Sequence, residues 1–134
     1  MAKVIDIEGI GPASAEKLQK AGVRSVERLL KECATPKGRR ALAEATGLDE
    51  KQLLKWANMA DLFRIKGVAA QFSELLEAAG VDTVKELRNR NAENLHAKLK
   101  EVNDERKRVR QLPSLKQVQG FIEQAKTMEP VITY

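Results

Sequence analysis

One cysteine, one histidine and five aromatic side chains leave this 134-residue sequence few of the groups from which sites and staples are built. Cys33 alone can form neither an intramolecular disulfide nor a multi-thiolate metal site. Neither His96 nor Cys33 has a sequence neighbour that suggests a catalytic dyad, and both read as ordinary helix residues. With aromatics at 4% against 43% hydrophobic residues, the core has to be built from Leu, Val, Ile and Ala. No stretch approaches the roughly 18 uninterrupted apolar residues of a membrane span, and Met1–Glu8 has no apolar run resembling a signal peptide. The expectation is a soluble, cytoplasmic chain with no membrane partner. A chain this long buries roughly two-thirds of its unfolded surface, enough to fold without staples.

Charge is present in excess of one sign. The net charge is +5. Thirteen basic residues face nine acidic ones up to Gly67, and eleven face ten beyond it. Two knots stand out, Lys37-Gly38-Arg39-Arg40 and Arg106-Lys107-Arg108-Val109-Arg110. Such knots favour polyanions, although a solvated helix face explains many of them.

Self-comparison organises the rest. Residues 7–29 lie over 65–87 at a constant offset of 58, with nine identities, among them Ile7/Ile65, Gly9/Gly67, Leu18/Leu76, Gly22/Gly80 and Leu29/Leu87. Further on, Lys51-Gln52-Leu53 with Trp56 lies over Lys116-Gln117-Val118 with Phe121 at an offset of 65. The second copy thus carries a seven-residue insertion near the basic stretch before Pro113. The matched aromatics read as core anchors. Each copy reads as all-helical. Pro12 suits a first helical position in a helix ending near Gly22, and Thr35-Pro36 opens another that stops at Gly47. Thr83 with Glu86 forms a capping box, and Ser114 opens the last helix. No stretch alternates, so no sheet is placed.

The pattern Val4-x-x-Ile7-x-Gly9-Ile10-Gly11-x-x-x-Ala15-x-x-Leu18 resembles the helix-hairpin-helix motif of polymerases, ligases, repair nucleases and helicases. Gly9 and Gly11 permit a sharp turn and a close approach that a Cβ would obstruct, and Ile10 between them can be buried. The helix start that follows offers free N–H groups and a favourable dipole to an anion. The resemblance implies that a nucleic-acid phosphate is gripped through Gly9, Ile10, Gly11, Ala13 and Ser14, with Lys17 one turn on. Pro12 has no amide to give. Lys37, Arg39 and Arg40 are the candidate neutralising cations, and Lys66 and Gly67 are the counterparts in the second copy. There Ala69 replaces the second glycine, which favours a structural hairpin.

The whole chain also resembles a bacterial family of tandem helix-hairpin-helix domains of no known function. Ile7-Glu8-Gly9-Ile10-Gly11-Pro12, Thr35-Pro36-Lys37-Gly38-Arg39, Trp56-Ala57-Asn58-Met59-Ala60-Asp61-Leu62 and Leu75-Leu76-Glu77-Ala78-Ala79-Gly80 carry that likeness. It implies an all-α fold of two helix-hairpin-helix repeats in one compact pseudo-twofold domain, divided as residues 1–64, 65–127 and a tail, 128–134. A full motif needs a helix before its hairpin. Glu50–Phe63 is expected to serve the second copy, and the C-terminal helix Leu115–Thr127 is expected to pack beside the first.

Enzymatic readings find little support. Gly9-x-Gly11-x-x-Ser14 lacks the third glycine and the preceding strand of a dinucleotide loop, and there is no P-loop. Pro12-Ala13-Ser14 stands where a glycosylase of the hairpin class would be expected to carry its lysine. The expectation is a non-enzymatic, sequence-nonspecific binder of the DNA backbone, with no cofactor, metal or small-molecule substrate. The alternative is a protein-interaction or scaffold domain in which the hairpins serve only the fold. DNA, RNA and a protein partner remain open.

Overall fold

The computed structural model describes residues 2–106 and 109–134, so Lys107 and Arg108 of the second basic knot lie outside the described residues. The described residues form helices: a 3-10 turn Val4–Asp6, then α1 (Pro12–Lys20), α2 (Val26–Cys33), α3 (Pro36–Thr46), α4 (Glu50–Leu62), α5 (Ala70–Ala78), α6 (Val84–Leu87), α7 (Ala92–Arg106) and α8 (Leu115–Lys126). Among them the only β-type pairing is an isolated antiparallel bridge between Lys3 and Ser25.

Local chemistry sets the helix starts. Ser25, Thr35, Thr83 and Ser114 each accept the amide three residues on, at 3.0, 3.1, 3.2 and 3.1 Å. Ser114 completes a reciprocal box, its own amide donating to Gln117 Oε1 at 2.8 Å. Asn91 caps α7 through the Asn94 amide at 3.0 Å. These caps satisfy donors that a helix start leaves open. The helices α1 and α5 differ: their N-caps, Gly11 and Ala69, supply no side-chain bond.

The chain divides into two compact units, Met1–Asp61 with Val131–Tyr134, and Leu62–Pro130. Met128 packs on the core of the second unit, and the last four residues group with the first. In the first unit Val4, Ile7, Ala15, Leu18, Leu29, Cys33, Leu53 and Trp56 are buried. The second unit gathers Leu62, Ile65, Leu75, Leu76, Val81, Leu87, Leu99, Val118 and Phe121 into one cluster. Both sets are aliphatic apart from Cys33, Trp56 and Phe121, as the composition requires.

The placement of the last helix corrects an expectation. The helix α8 packs against α6 and α7 within the second unit, and Phe121 lies against the turn at Gly67. In the first unit Trp56 of α4 lies against the turn at Gly9. Each turn is therefore backed by a later helix of its own unit, α4 for the first and α8 for the second. Trp56 and Phe121 explain why: a large ring backs each turn where the glycine leaves room.

Candidate nucleic-acid interface

The two turns are built alike. Gly9 has φ 92° and Gly67 φ 98°, a region that L side chains rarely enter. A Cβ on Gly9 would stand 3.3 Å from Trp56 Nε1, and one on Gly67 would stand 3.0 Å from Phe121 Cε1. Behind each glycine a buried aliphatic residue closes the turn. The Ile10 amide donates to the Ile7 carbonyl at 3.1 Å, and the Val68 amide to Ile65 at 3.0 Å. The helices then begin with Ala15 N–H to Gly11 O and Ser73 N–H to Ala69 O, both 2.9 Å. They end with Val23 N–H to Leu18 O and Val81 N–H to Leu76 O, both 2.8 Å.

Gly11 is in a different position from Gly9. Its φ of −83° and ψ of 177° suit any residue, and a Cβ there would meet nothing within 4 Å. Neither backbone strain nor crowding within the chain requires glycine at this place. Gly9, Gly11, Pro12 and Ala13 are exposed and Ser14 is half-buried. Among the described residues no hydrogen bond engages the amides of Gly9, Gly11, Ala13 or Ser14. The Ile10 amide is spent on Ile7 and its side chain is 5% exposed, so Ile10 holds the turn from inside. Lys17 projects from α1 as an exposed residue, whereas neighbouring Lys20 pairs with Glu16 at 3.2 Å.

The basic knot on α3 separates into unlike residues. Lys37 is exposed. Arg40 is exposed and stands 3.7 Å from Glu50, a separation that solvent screens. Arg39 is 6% exposed and committed: Nη1 donates to the Cys33 carbonyl and Nη2 to the Thr133 carbonyl, each at 2.9 Å. It leaves the set of exposed cations that the sequence suggested. Gly38 belongs to the same construction, since a Cβ there would overlap the Glu32 carbonyl oxygen. Thr35 caps, Pro36 opens the helix, Gly38 lets α3 approach the end of α2, and Arg39 fastens it. Thr35-Pro36-Lys37-Gly38-Arg39 is thus largely a packing motif, with Lys37 its free charge.

The second turn is held from outside as well as inside. Gln124 of α8 accepts from the Lys66 amide at 2.8 Å and donates to the Lys66 carbonyl at 3.1 Å. The Lys66 side chain is exposed while its backbone is fully engaged. Ala69 has φ −123° and ψ −165°, so its methyl group is accommodated without strain. Phe72 stands where the first turn has Ser14, 6.3 Å ring to ring from Phe121, and lines an apolar hollow with Gly67, Ala69, Ala70 and Gln71. Sequence reading missed Gln124, because one glutamine on a helix gives no sign that it clasps a turn 58 residues earlier. It also missed Thr133, which acts through its backbone.

Two remaining candidates are quiet. Cys33 is fully buried, and desolvation lifts its thiol from 9.0 to about 12, against a smaller opposing pull from Arg39. His96 is half-buried on α7. Among the described residues no group of three His, Cys, Asp or Glu could hold a metal ion, and no helix is long and apolar enough to cross a membrane.

A family model described as a domain of unknown function, DUF4332, matches residues 8–128. No match was found among curated proteins. None was found among solved structures.

Proposed function

The chain belongs to the DUF4332 family of domains of unknown function, and from that premise we propose a non-enzymatic module that holds the phosphate backbone of duplex DNA, without reading sequence, through the Gly9–Ser14 turn. In this reading the two units are copies of one helix-hairpin-helix repeat, and only the first keeps the complete grip. Equal turn hydrogen bonds, the paired positive-φ glycines and the paired rings behind them support the repeat.

One observation carries the function. The first turn opens a helix with no side-chain cap, with the amides of Gly11, Ala13 and Ser14 free and with an open place where a Cβ of Gly11 would stand. Serine or aspartate at Gly11 would give a capped helix. Among the described residues five other helices are capped in that way. Glycine leaves the donors available and lets a phosphate come to the backbone, where the helix dipole favours it. Lys17 follows one turn on, and Lys37 and Arg40 add exposed charge from α3. Contacts of this kind are to phosphate and carry no base information. Nonspecific affinity of about 10⁻⁴ to 10⁻⁶ M at physiological salt is the scale expected.

The protein-docking alternative is favoured at one place, the second turn. Its backbone is clasped by Gln124, and Phe72 offers an apolar surface where the first turn offers Ser14.

A salt series of duplex-DNA binding tests the proposal. With Lys17, Lys37 and Arg40 each neutralising one phosphate, log affinity falls against log salt with a slope of about −3. Gly11→Val weakens binding at every salt concentration, and Lys37→Ala with Arg40→Ala flattens the slope by about 2. Absent binding at low salt, or binding unchanged by both variants, overturns the proposal.

A further inference from the structure

One aromatic ring of the second unit stands at the edge of its core with two hollows opening on it. Phe72 is half-buried, packed on the core and tilted against Phe121, with ring centroids 6.3 Å apart and planes inclined by 55°. That contact fixes the orientation of the ring. The smaller hollow, about 270 Å³, is the apolar one formed with Gly67, Ala69 and Ala70. The larger, about 750 Å³, shares Gln71 and Phe72 and is completed by groups that include Asp104, Arg110 and Gln111. Its size is that of a small-molecule site.

One wall of the larger hollow is tied in place. Asn103 of α7 donates through Nδ2 to the Val109 carbonyl at 3.1 Å and accepts from the Val109 amide at 3.0 Å. Gln124 makes the same two-way clasp on Lys66. Val109 is buried, and Arg110 and Gln111 beyond it are exposed beside the hollow. Among the described residues no hydrogen bond or ion pair engages the side chains of Gln71, Asp104, Arg110 or Gln111. The exposed Lys66, next to Gly67 of the smaller hollow, is likewise without an ion pair among them. Neither ring nor wall has a sequence counterpart in the first unit. Ser14 stands in place of Phe72, and between Leu87 and Lys116 the offset of matched positions rises from 58 to 65, in the stretch that contains Val109–Gln111.

We propose that Phe72 and the larger hollow hold an unpaired nucleobase. The base stacks on the ring and turns its polar edge to Gln71, Asp104 and Gln111, while Lys66 and Arg110 meet the flanking phosphates. An apolar protein side chain would suit the smaller hollow alone. A base suits both together, because it brings an apolar face and, in its plane, donors and acceptors that need partners of both kinds. Asp104 accepts, and the glutamine amides do either. A ring flanked by unpaired cations is the combination that a single strand meets with its bases and its phosphates. In a duplex the bases are already stacked and paired, so Phe72 takes no part in duplex binding. The site belongs to the second unit and does not rest on the function proposed above.

Phe72→Trp keeps a stacking face and makes it a fluorescent reporter, read against the buried Trp56. The experiment uses the full chain carrying Gly11→Val, so that the first turn contributes nothing to binding and the two proposals fail separately. A short thymidine oligonucleotide quenches the introduced indole to saturation, and the same strand annealed to its complement does not. By anisotropy of a labelled strand, Phe72→Ala binds roughly 5- to 150-fold more weakly than the chain with phenylalanine, and Phe72→Trp restores the affinity. Because Phe72 packs on the core, a second variant is confined to exposed side chains: Lys66→Ala with Arg110→Ala flattens the single-strand salt slope by about 1.4. Quenching by thymidine monophosphate at the affinity of the strand upholds the site and assigns it to free nucleotides; tighter binding of the strand assigns it to nucleic acid. Equal quenching by the duplex overturns the inference, as does single-strand binding indifferent to both variants. Absence of quenching by strand and monophosphate alike also overturns it, and leaves the hollow to a protein side chain.

Discussion

At Gly9 the backbone has φ 92° with the Trp56 indole 3.3 Å from where a Cβ would stand, and at Gly67 the figures are 98° and a 3.0 Å approach to Phe121. Alanine at either place takes on both strain and a contact, so each substitution is expected to cost about 1–3 kcal/mol in denaturant unfolding. Gly11→Ala meets neither obstacle and is expected to cost no more than about 1 kcal/mol, the step from glycine to alanine at an N-cap. Its effect falls on binding. A Gly11→Ala variant as unstable as Gly9→Ala would show that the glycine serves the fold. Cys33 supplies a pH test at the same scale. The unfolded thiol ionises from its ordinary 9.0, while burial holds the folded thiol protonated up to about 12. The unfolded chain therefore loses its proton first, so this contribution to stability is intact below pH 9 and is lost as pH rises through that window. Between pH 8 and 11 the thermal midpoint falls more in the unaltered chain than in Cys33→Ala. Parallel curves would contradict the burial argument.

At the scale of elements, caps and rings decide where each helix starts and what it meets. Thr35→Ala and Ser114→Ala each remove one side-chain acceptor from a helix start and are expected to cost about 1 kcal/mol. Hydrogen exchange locates the effect, with Gly38 and Gln117 respectively losing protection. Much of this was legible in the sequence: the Thr, Ser and Pro signals mark helix starts, and the offsets of 58 and 65 bring Gly9 and Gly67 into register, as they do Trp56 and Phe121. Side-chain commitments were not legible. Lys37-Gly38-Arg39-Arg40 reads as one basic knot, yet Arg39 points its charge at two carbonyls, one of them 94 residues away in the sequence. Composition counts charges and cannot say which are buried. The placement of α8 was lost for a related reason. Matched offsets identify equivalent helices, but which turn a helix meets depends on Phe121 against Gly67 and on the Gln124 clasp. Arg39→Ala strands the carbonyls of Cys33 and Thr133 and is expected to destabilise by on the order of 2 kcal/mol.

For the whole molecule, charge is distributed unequally. The modest net charge of +5 is carried mostly by residues up to Gly67, the part that also contains the uncapped glycine turn. The second unit has an alanine in place of that glycine, a phenylalanine beside it and a glutamine clasping its turn. In the proposed grip the free donors of the first turn feel a phosphate directly, because Gly11 leaves open the space that the Ala69 methyl group takes in the second. The Ile10 amide beside them is bonded to Ile7 and serves as an internal control. The decisive measurement is an amide proton–nitrogen correlation spectrum of the chain titrated with a short duplex of arbitrary sequence. The account predicts large downfield proton shifts at Gly11, Ala13 and Ser14, little change at Ile10, and reversal on adding salt. Unmoved amides at those three positions, or shifts gathered around Phe72 in the second unit, would contradict it.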